Sequence, residues 1–418
     1  MVSLRYYSVM PQGKDFWSRR SFVAASLPAV SYARMAGVND RINIGIIGCG
    51  RRNLLKEVLQ FQKETNAAIT AVCDTWNQQR EAAVEAVKQA SGAAPKAFVH
   101  YQDLLALRDV DAVVIGTPDH QHCTQLIAAA KAGKDAYVEK PLAMDMKELI
   151  AAVDTVKKHN RLVQMGTQIR SYPHSLSARQ FVQAGGLGKM LKIEQSRNSY
   201  RPYWHGYGDR KIAEKDVDWK AFLMHRKYRP FSSQQYGGWY GFREFSRGPH
   251  SNLMVHFIDL VHFVTGASAP KRVVTLGGSY RWKDSYTAPD SVETILEYPE
   301  GFLVRYNTTF GSSANNLFKF IGTRGVIDAR VWNWKQNWVL SDEGSAEPDK
   351  VKTGEKLPDV DSTPHMKNWL ECLRSRKQPI APIEAGYSHS VAVIMADEAY
   401  IRGKRMVYNP AKRSIAEG

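Results

Sequence analysis

Ile42-Asn43-Ile44-Gly45-Ile46-Ile47-Gly48-Cys49-Gly50-Arg51-Arg52-Asn53 is the stretch on which the fold turns. Its first six residues are rich in isoleucine, as in a strand buried on both faces. The run breaks at Gly48 and Gly50, and a helical stretch follows over residues 54–63. A strand, a glycine-rich turn and a helix in succession place free backbone N–H groups where a phosphate binds. Gly48 permits the tight turn, and Gly50 lets a diphosphate approach the backbone. Asn53 replaces the third glycine of G-x-G-x-x-G, so the turn alone is a weak signal.

The next runs strengthen it. Residues 68–73 read as a second strand ending at Asp74, 24 residues after Gly50. A carboxylate there accepts hydrogen bonds from ribose hydroxyls and repels a 2′-phosphate, which favours NAD over NADP. Arg51, Arg52 and Arg80 leave NADP open, and Asp74 also suits a helix N-cap. Residues 111–116 form a fourth parallel strand, which Thr117-Pro118 ends at the carboxyl edge where ligands bind in such sheets. Residues 135–138 are a further strand, ending in Glu139-Lys140-Pro141. A lysine at such an edge, once desolvated, acts as a general acid or base. Residues 162–167 supply the sixth strand. The expectation is an α/β Rossmann domain over 41–160.

From residue 161 the pattern changes to an α+β domain running to 418. Strands are expected at 190–196, 272–278, 291–297, 302–310 and 317–321, joined by short turns such as Tyr298-Pro299-Glu300-Gly301. These fit a large, mostly antiparallel open sheet. The chain closes with a helix near 385–402, expected to pack back toward the Rossmann domain, and a basic tail. Residues 199–256 are crowded with aromatics, among them Tyr203, Tyr207, Tyr236, Trp239 and Tyr240, together with Arg243, His250 and His256. Aromatic faces stack on sugar rings, and Tyr, His and Arg bond hydroxyls. A packed aromatic core or a subunit interface reads the same way.

Taken together, 44–53, 72–74, 113–122, 137–142, 186–189, 255–260 and 368–372 resemble the family of glucose–fructose oxidoreductase, inositol dehydrogenase and the rhizopine-catabolism dehydrogenases. The resemblance spans about residues 41–410, and Glu139-Lys140-Pro141 is its most specific part. It implies NAD or NADP held by the first domain, with Gly48, Gly50, Arg51, Arg52, Asn53, Asp74, Thr117, Pro118, His122, Glu139 and Gln168 around it. It implies a sugar or cyclic polyol substrate, with Arg170, Tyr172, Tyr236, Trp239 and Arg243 as contacts. It implies that the second sheet packs against another subunit, giving a homo-dimer or tetramer. Lys140 would touch the hydroxyl being oxidised, and His256 would transfer a proton opposite it. The family places an aspartate four residues before that histidine; this chain has Asn252, which positions a hydroxyl but cannot act as a base.

Three functions follow from these features. The first is an NAD(P)-dependent oxidoreductase acting on a sugar or cyclic polyol. The second is a glycoside hydrolase or lyase that uses transient oxidation at C3 with a tightly bound cofactor. The third is a non-catalytic NAD-binding protein, to which Asn252 lends weight.

The chain carries 57 Lys and Arg against 41 Asp and Glu, a formal charge of +16. The basic residues are scattered and match no nucleic-acid motif, which argues for a solvated surface over a nucleic-acid partner. Cys49, Cys73, Cys123 and Cys372 form no C-x-x-C or zinc pattern, so no disulfide framework or metal site is expected. Residues 1–40 read as a leader: Ser18-Arg19-Arg20-Ser21-Phe22-Val23 followed by small apolar residues resembles a twin-arginine (Tat) export signal. Its apolar part is too short to span a membrane. The expected location is the periplasm, or the cytoplasm if the leader does not function.

Overall fold

Short runs of Ile, Val and Ala can only be strands if both their faces are covered, and the first half of the chain meets that condition. The computed structural model describes residues 41–329 and 338–418. The twin-arginine stretch lies outside the described residues. Among the described residues, one sheet is built from β1 (Ile42–Ile47), β2 (Ala67–Cys73), β3 (Lys96–Phe98), β4 (Ala112–Ile115), β5 (Asp135–Val138) and β6 (Val163–Met165). All its ladders are parallel, in the order β3-β2-β1-β4-β5-β6. The order reverses between β1 and β4, which opens a crevice at their carboxyl ends. Every residue of β4 and β5 is buried.

The flanking helices follow from their sequences. The Leu54–Phe61 helix buries Leu54, Leu55, Val58 and Phe61 on one stripe. The Met146–Lys158 helix starts at Asp145, whose side chain accepts the Glu148 N–H, and ends in Lys157 and Lys158, which complement the helix dipole. The expected domain boundary at 160 falls just before β6, which pairs with β5 through Ala136 and Val163 and so belongs to this sheet.

Among the described residues the second sheet has nine strands, ordered β13-β12-β11-β7-β10-β9-β8-β14-β15. They are β7 (Met190–Ser196), β8 (Arg272–Gly278), β9 (Ser291–Glu297), β10 (Leu303–Thr309), β11 (Leu317–Gly322), β12 (Gly325–Asp328), β13 (Val339–Ser341), β14 (Met406–Asn409) and β15 (Ser414–Glu417). Only the β7–β10 pair is parallel among the described residues. β7 to β11 lie where the alternating pattern puts them. The basic tail is instead a hairpin, β14–β15, that extends the sheet edge. Strands of three or four residues, such as β12 to β15, are too short to show a period of two.

One face of this sheet carries the core. Val273, Val292, Leu296, Val304 and Tyr306 point inward, into one core with residues of the Val255–Thr265 and Ile383–Arg402 helices. The Ile383–Arg402 helix also touches the Met146–Lys158 helix and β6, so it joins the two sheets. The His365–Ser375 helix returns to the first sheet, where the buried Trp369 ring lies 5.8 Å from that of Tyr137. The other face of the second sheet shows Val274, Leu276, Ile295 and Leu303 to solvent.

Candidate active site

The glycine-rich turn is shaped by close backbone approach. Gly48 sits at φ 88° and donates its N–H to the Cys73 carbonyl at 2.8 Å. A Cβ on Gly48 would lie 2.8 Å from the Gly116 backbone, so a side chain would force the ends of β1 and β4 apart. A Cβ on Gly50 would meet no atom within 4 Å, and Gly50 lines a cavity of about 1050 Å³. Asn53 adopts φ 57°, a left-handed conformation that asparagine tolerates. That explains how it replaces a glycine, and it leads directly into the Leu54–Phe61 helix. It is exposed and does not line the cavity.

The cavity is lined by Asp74 as well as by Lys140, Asn252 and His256. Asp74 accepts the Cys49 N–H at 2.8 Å and the Trp76 N–H at 2.9 Å. Burial pushes its carboxyl up, and these two backbone bonds oppose that. One donor on each oxygen leaves further lone pairs for a ligand. The cap of the helix that follows is Trp76. Two of the three arginines expected near a phosphate are already engaged. Arg52 bonds Glu139 at 2.8 Å and Glu57 at 2.7 Å, and Arg80 bonds the Asp74 carbonyl at 2.9 Å. Arg51 lies over the Tyr207 ring, 4.5 Å from its centre.

Glu139 is buried, and the Cβ-free Gly166 makes room for it: a methyl there would approach its carboxylate to 2.7 Å. The neighbouring Lys140 Nζ donates to the Asn252 carbonyl at 3.2 Å and the Ser251 carbonyl at 3.5 Å. Burial pushes the Lys140 ammonium down; Asp119 and then Glu139 oppose this. Asn252 stands in a π-helical turn, His250–Met254, that runs into the Val255–Thr265 helix. Such turns are frequent at functional sites. Here the widened turn puts Asn252 and His256 on one cavity wall. Burial holds His256 well below the ordinary histidine range, and the Lys140 charge adds to this.

The aromatic stretch serves as both core and cavity wall. Trp219, Phe222, Leu223, Phe242 and Phe245 form a core of their own, and Trp204, Ala288 and Phe310 form another. Tyr203, Tyr207, Tyr236, Trp239 and Tyr240 line the cavity. The stretch is tied down over the nucleotide edge of the first sheet. Asp218 N–H bonds the Thr75 carbonyl at 2.8 Å, and the Thr75 and Tyr236 hydroxyls meet at 3.1 Å. Gln121 Nε2 donates to the Phe222 carbonyl at 2.8 Å, and His120 Nε2 lies equally close to it.

Of the expected site residues, the cavity gathers Gly48, Gly50, Arg51, Arg52, Asp74, Thr117, Pro118, Glu139, Lys140, Tyr236, Trp239, Asn252 and His256. Others are engaged elsewhere. His122 clamps two loops, its ring nitrogens each 2.7 Å from a carbonyl, of Pro141 and of Thr117. Gln168 braces Glu139 at 3.0 Å and Tyr137 at 2.6 Å. Arg170 forms a buried bidentate pair with Asp259. Tyr172 packs against His174, their ring centres 5.5 Å apart. Arg243 pairs with the buried Asp397 at 2.8 Å and so anchors the aromatic stretch to the Ile383–Arg402 helix. The cavity also brings in Asp119 and Arg210, which sequence reasoning passed over. Asp119 directly follows Thr117-Pro118 at the sheet edge, a usable signal; Arg210 carries none.

The residues present suit a dinucleotide: a turn without side chains at a switch point, and a carboxylate at the end of β2. Comparison with known proteins agrees. Residues 42–167 match the family described as "Oxidoreductase family, NAD-binding Rossmann fold", and 218–406 match its "C-terminal alpha/beta domain". A "Glycosyl hydrolase family 109 protein" of Shewanella baltica is 28% identical over 185 residues, which are 40% of this chain and 40% of that protein. The match thus spans less than half the length of that relative. Among solved structures, the WlbA dehydrogenase of Bordetella pertussis, in complex with NADH and UDP-GlcNAcA, superposes with a TM-score of 0.66 at 20% identity, covering 88% of this chain and 99% of that one. The aldose-aldose oxidoreductase of Caulobacter crescentus, complexed with glycerol, gives 0.65 at 17% identity, covering 88% and 99%. The chain, with an NAD-binding Rossmann domain and the matching C-terminal domain, belongs to the Gfo/Idh/MocA oxidoreductase family.

Proposed function

We propose that this protein oxidises a hydroxyl of a sugar or cyclic polyol, with Lys140 and His256 handling the proton. The observation that carries this reading is one cavity that joins Gly48, Gly50 and Asp74 to Lys140 and His256 under a wall of tyrosines. Gly48 and Gly50 would face the diphosphate of NAD, and Asp74 its ribose. When bound, the nicotinamide supplies a two-electron acceptor. Lys140, pushed toward its neutral form by burial, takes the hydroxyl proton. His256 is held neutral, with one ring nitrogen able to donate and the other to accept a hydrogen bond, and serves the oxygen on the same carbon. The aromatic wall orients the ring by stacking and hydroxyl bonds.

Similarity to the glycosyl hydrolase family 109 protein favours a second reading of the same site. Oxidation at C3 acidifies the C2 proton, a base removes it, and the C1 substituent leaves. Water then adds and the ketone is reduced, so the cofactor ends unchanged. Both readings include a tightly held cofactor, supported by the ties from Thr75 and Phe222 that hold the aromatic stretch over the nucleotide edge.

The test uses protein purified without added nucleotide, mixed with free sugars and chromogenic glycosides while reduced nicotinamide and released aglycone are followed together. Cofactor reduction that stalls without an electron acceptor is the expected result. Sustained aglycone release with no net reduction refutes the first reading in favour of the second. Absence of co-purified nucleotide would contradict tight binding.

Two further proposals concern assembly and location. The outward Val274, Leu276, Ile295 and Leu303 support a homo-oligomer through the open sheet face. Leu276→Lys should then lower the sedimenting mass, and a monomeric wild type would end the idea. Ser18-Arg19-Arg20 supports export to the periplasm, which cell fractionation of an Arg19→Lys, Arg20→Lys variant checks: an unchanged distribution argues against it.

A further inference from the structure

Position 252 offers an amide where the proton chemistry would use an acid, yet a carboxylate from another element is tied to that amide through Ser246. Asp119 opens the short 3-10 turn Asp119–Gln121 after β4. It is 3% exposed and lines the cavity beside Lys140, Asn252 and His256. Its Oδ2 accepts the Ser246 hydroxyl at 2.9 Å. Ser246 Oγ in turn accepts from Asn252 Nδ2 at 2.7 Å and lies 2.9 Å from Ser251 Oγ. Ser251 and Asn252 are also the residues whose carbonyls hold Lys140 Nζ. One network thus connects the Asp119 carboxylate to the backbone that seats the ammonium.

We propose that Asp119 is the carboxylate partner of Lys140, supplying from the end of β4 the negative charge that Asn252 lacks and fixing the Asn252 amide through Ser246. The proposal rests on reading Lys140 as the proton-handling group. Asp119 is a positioning residue: it sets the charge state of Lys140 and takes no proton from substrate.

The electrostatics run the same way from both partners. Burial pushes the Asp119 carboxyl up, and the strongest charge opposing this is Lys140, followed by His122. Burial pushes Lys140 down, and the strongest charge opposing this is Asp119, followed by Glu139, while Arg52 works with burial. The other titratable groups that feel the pair include His256 and His389, both lowered by the Lys140 charge, and Tyr203 and Tyr240, which Asp119 helps to raise.

The test reads Lys140 directly, on the full chain with whatever cofactor it carries. Competitive labelling with acetic anhydride across pH, followed by peptide mass spectrometry, gives the midpoint at which Lys140 becomes reactive. Asp119→Asn is expected to lower that midpoint by about one pH unit or more. Asn252→Asp alone is expected to raise it, which keeps the idea testable if Asp119→Asn does not fold. The double variant should return toward wild type. An unmoved midpoint in folded Asp119→Asn, or in Asn252→Asp, overturns the assignment. If the midpoints move as expected but Lys140→Ala still reduces its cofactor at the wild-type rate, the underlying reading of Lys140 fails instead.

Discussion

Lys140→Ala is expected to slow substrate-dependent cofactor reduction by roughly 10²–10⁴-fold, the range a positioned acid or base contributes. Lys140 lines the cavity just past a strand end and is followed by a proline, and its Nζ is held by two carbonyls of the π-helical turn. Burial outweighs the carboxylates around it and moves its neutral form toward physiological pH. For a base the active form lies above its own pKa, so the lowered value widens the working range on the acid side. Rates should therefore rise with pH through the Lys140 transition. Lys140→Arg should be as inactive as Lys140→Ala, because a guanidinium keeps its protons in proteins. A Lys140→Arg variant with near wild-type rate would show that only positive charge is needed. Nucleotide content should stay unchanged in both, which separates lost chemistry from lost binding.

Asp259→Ala is expected to destabilise the fold by about 3–5 kcal/mol, the cost of leaving a buried charge without its partner. Asp259 is buried and receives Arg170 at 2.6 and 2.9 Å and His389 Nδ1 at 3.2 Å. These three residues come from the Gln168–Ser171 turn, the Val255–Thr265 helix and the Ile383–Arg402 helix, so the cluster fastens three segments behind the site. Burial alone would push the Asp259 carboxyl up. The Arg170 charge and the hydrogen bonds from His389 and Arg170 outweigh it and hold the carboxyl well below the usual range. With a lowered folded-state pKa, this stabilisation is fully present above the unfolded value of about 3.9. It is lost as pH falls through the folded-state value. Urea unfolding should thus show the full gap between wild type and Asp259→Ala near neutrality and a smaller one below about pH 4. A gap under about 1 kcal/mol at neutral pH would mean that the surrounding chain relaxes around Arg170. His256 lies one turn from Asp259, so the variant should also lose turnover.

Much of this was legible in the chain because its signals are local. A six-residue Ile-rich run, two glycines and an acid 24 positions on define a strand–turn–helix and its partner strand, whatever else surrounds them. The alternating runs at β7 to β11 were equally plain, since each buries one face. The short edge strands β12 to β15 had too few residues to show a period, and pairing alone defines them.

The site separates along the same line. Gly48, Asp74 and Lys140 declared themselves because their place at a strand end dictates their surroundings. Arg170, Arg243 and His122 have suitable chemistry and adjacent sequence, yet buried carboxylates from distant segments claim the two arginines and the Pro141 and Thr117 carbonyls claim His122. Asp119 shows the converse: its place after Thr117-Pro118 is a local signal, but its tie through Ser246 to Asn252, whose carbonyl holds a lysine 21 positions away, exists only in the fold. Sequence by itself determined the family, the two sheets and the nucleotide edge, since these follow from hydrophobic period and turn chemistry. Only the tertiary structure decided which polar groups face the cavity and which are spent in bracing it, because a charge in a low-dielectric interior is bound by whichever opposite charge or carbonyl the fold brings near.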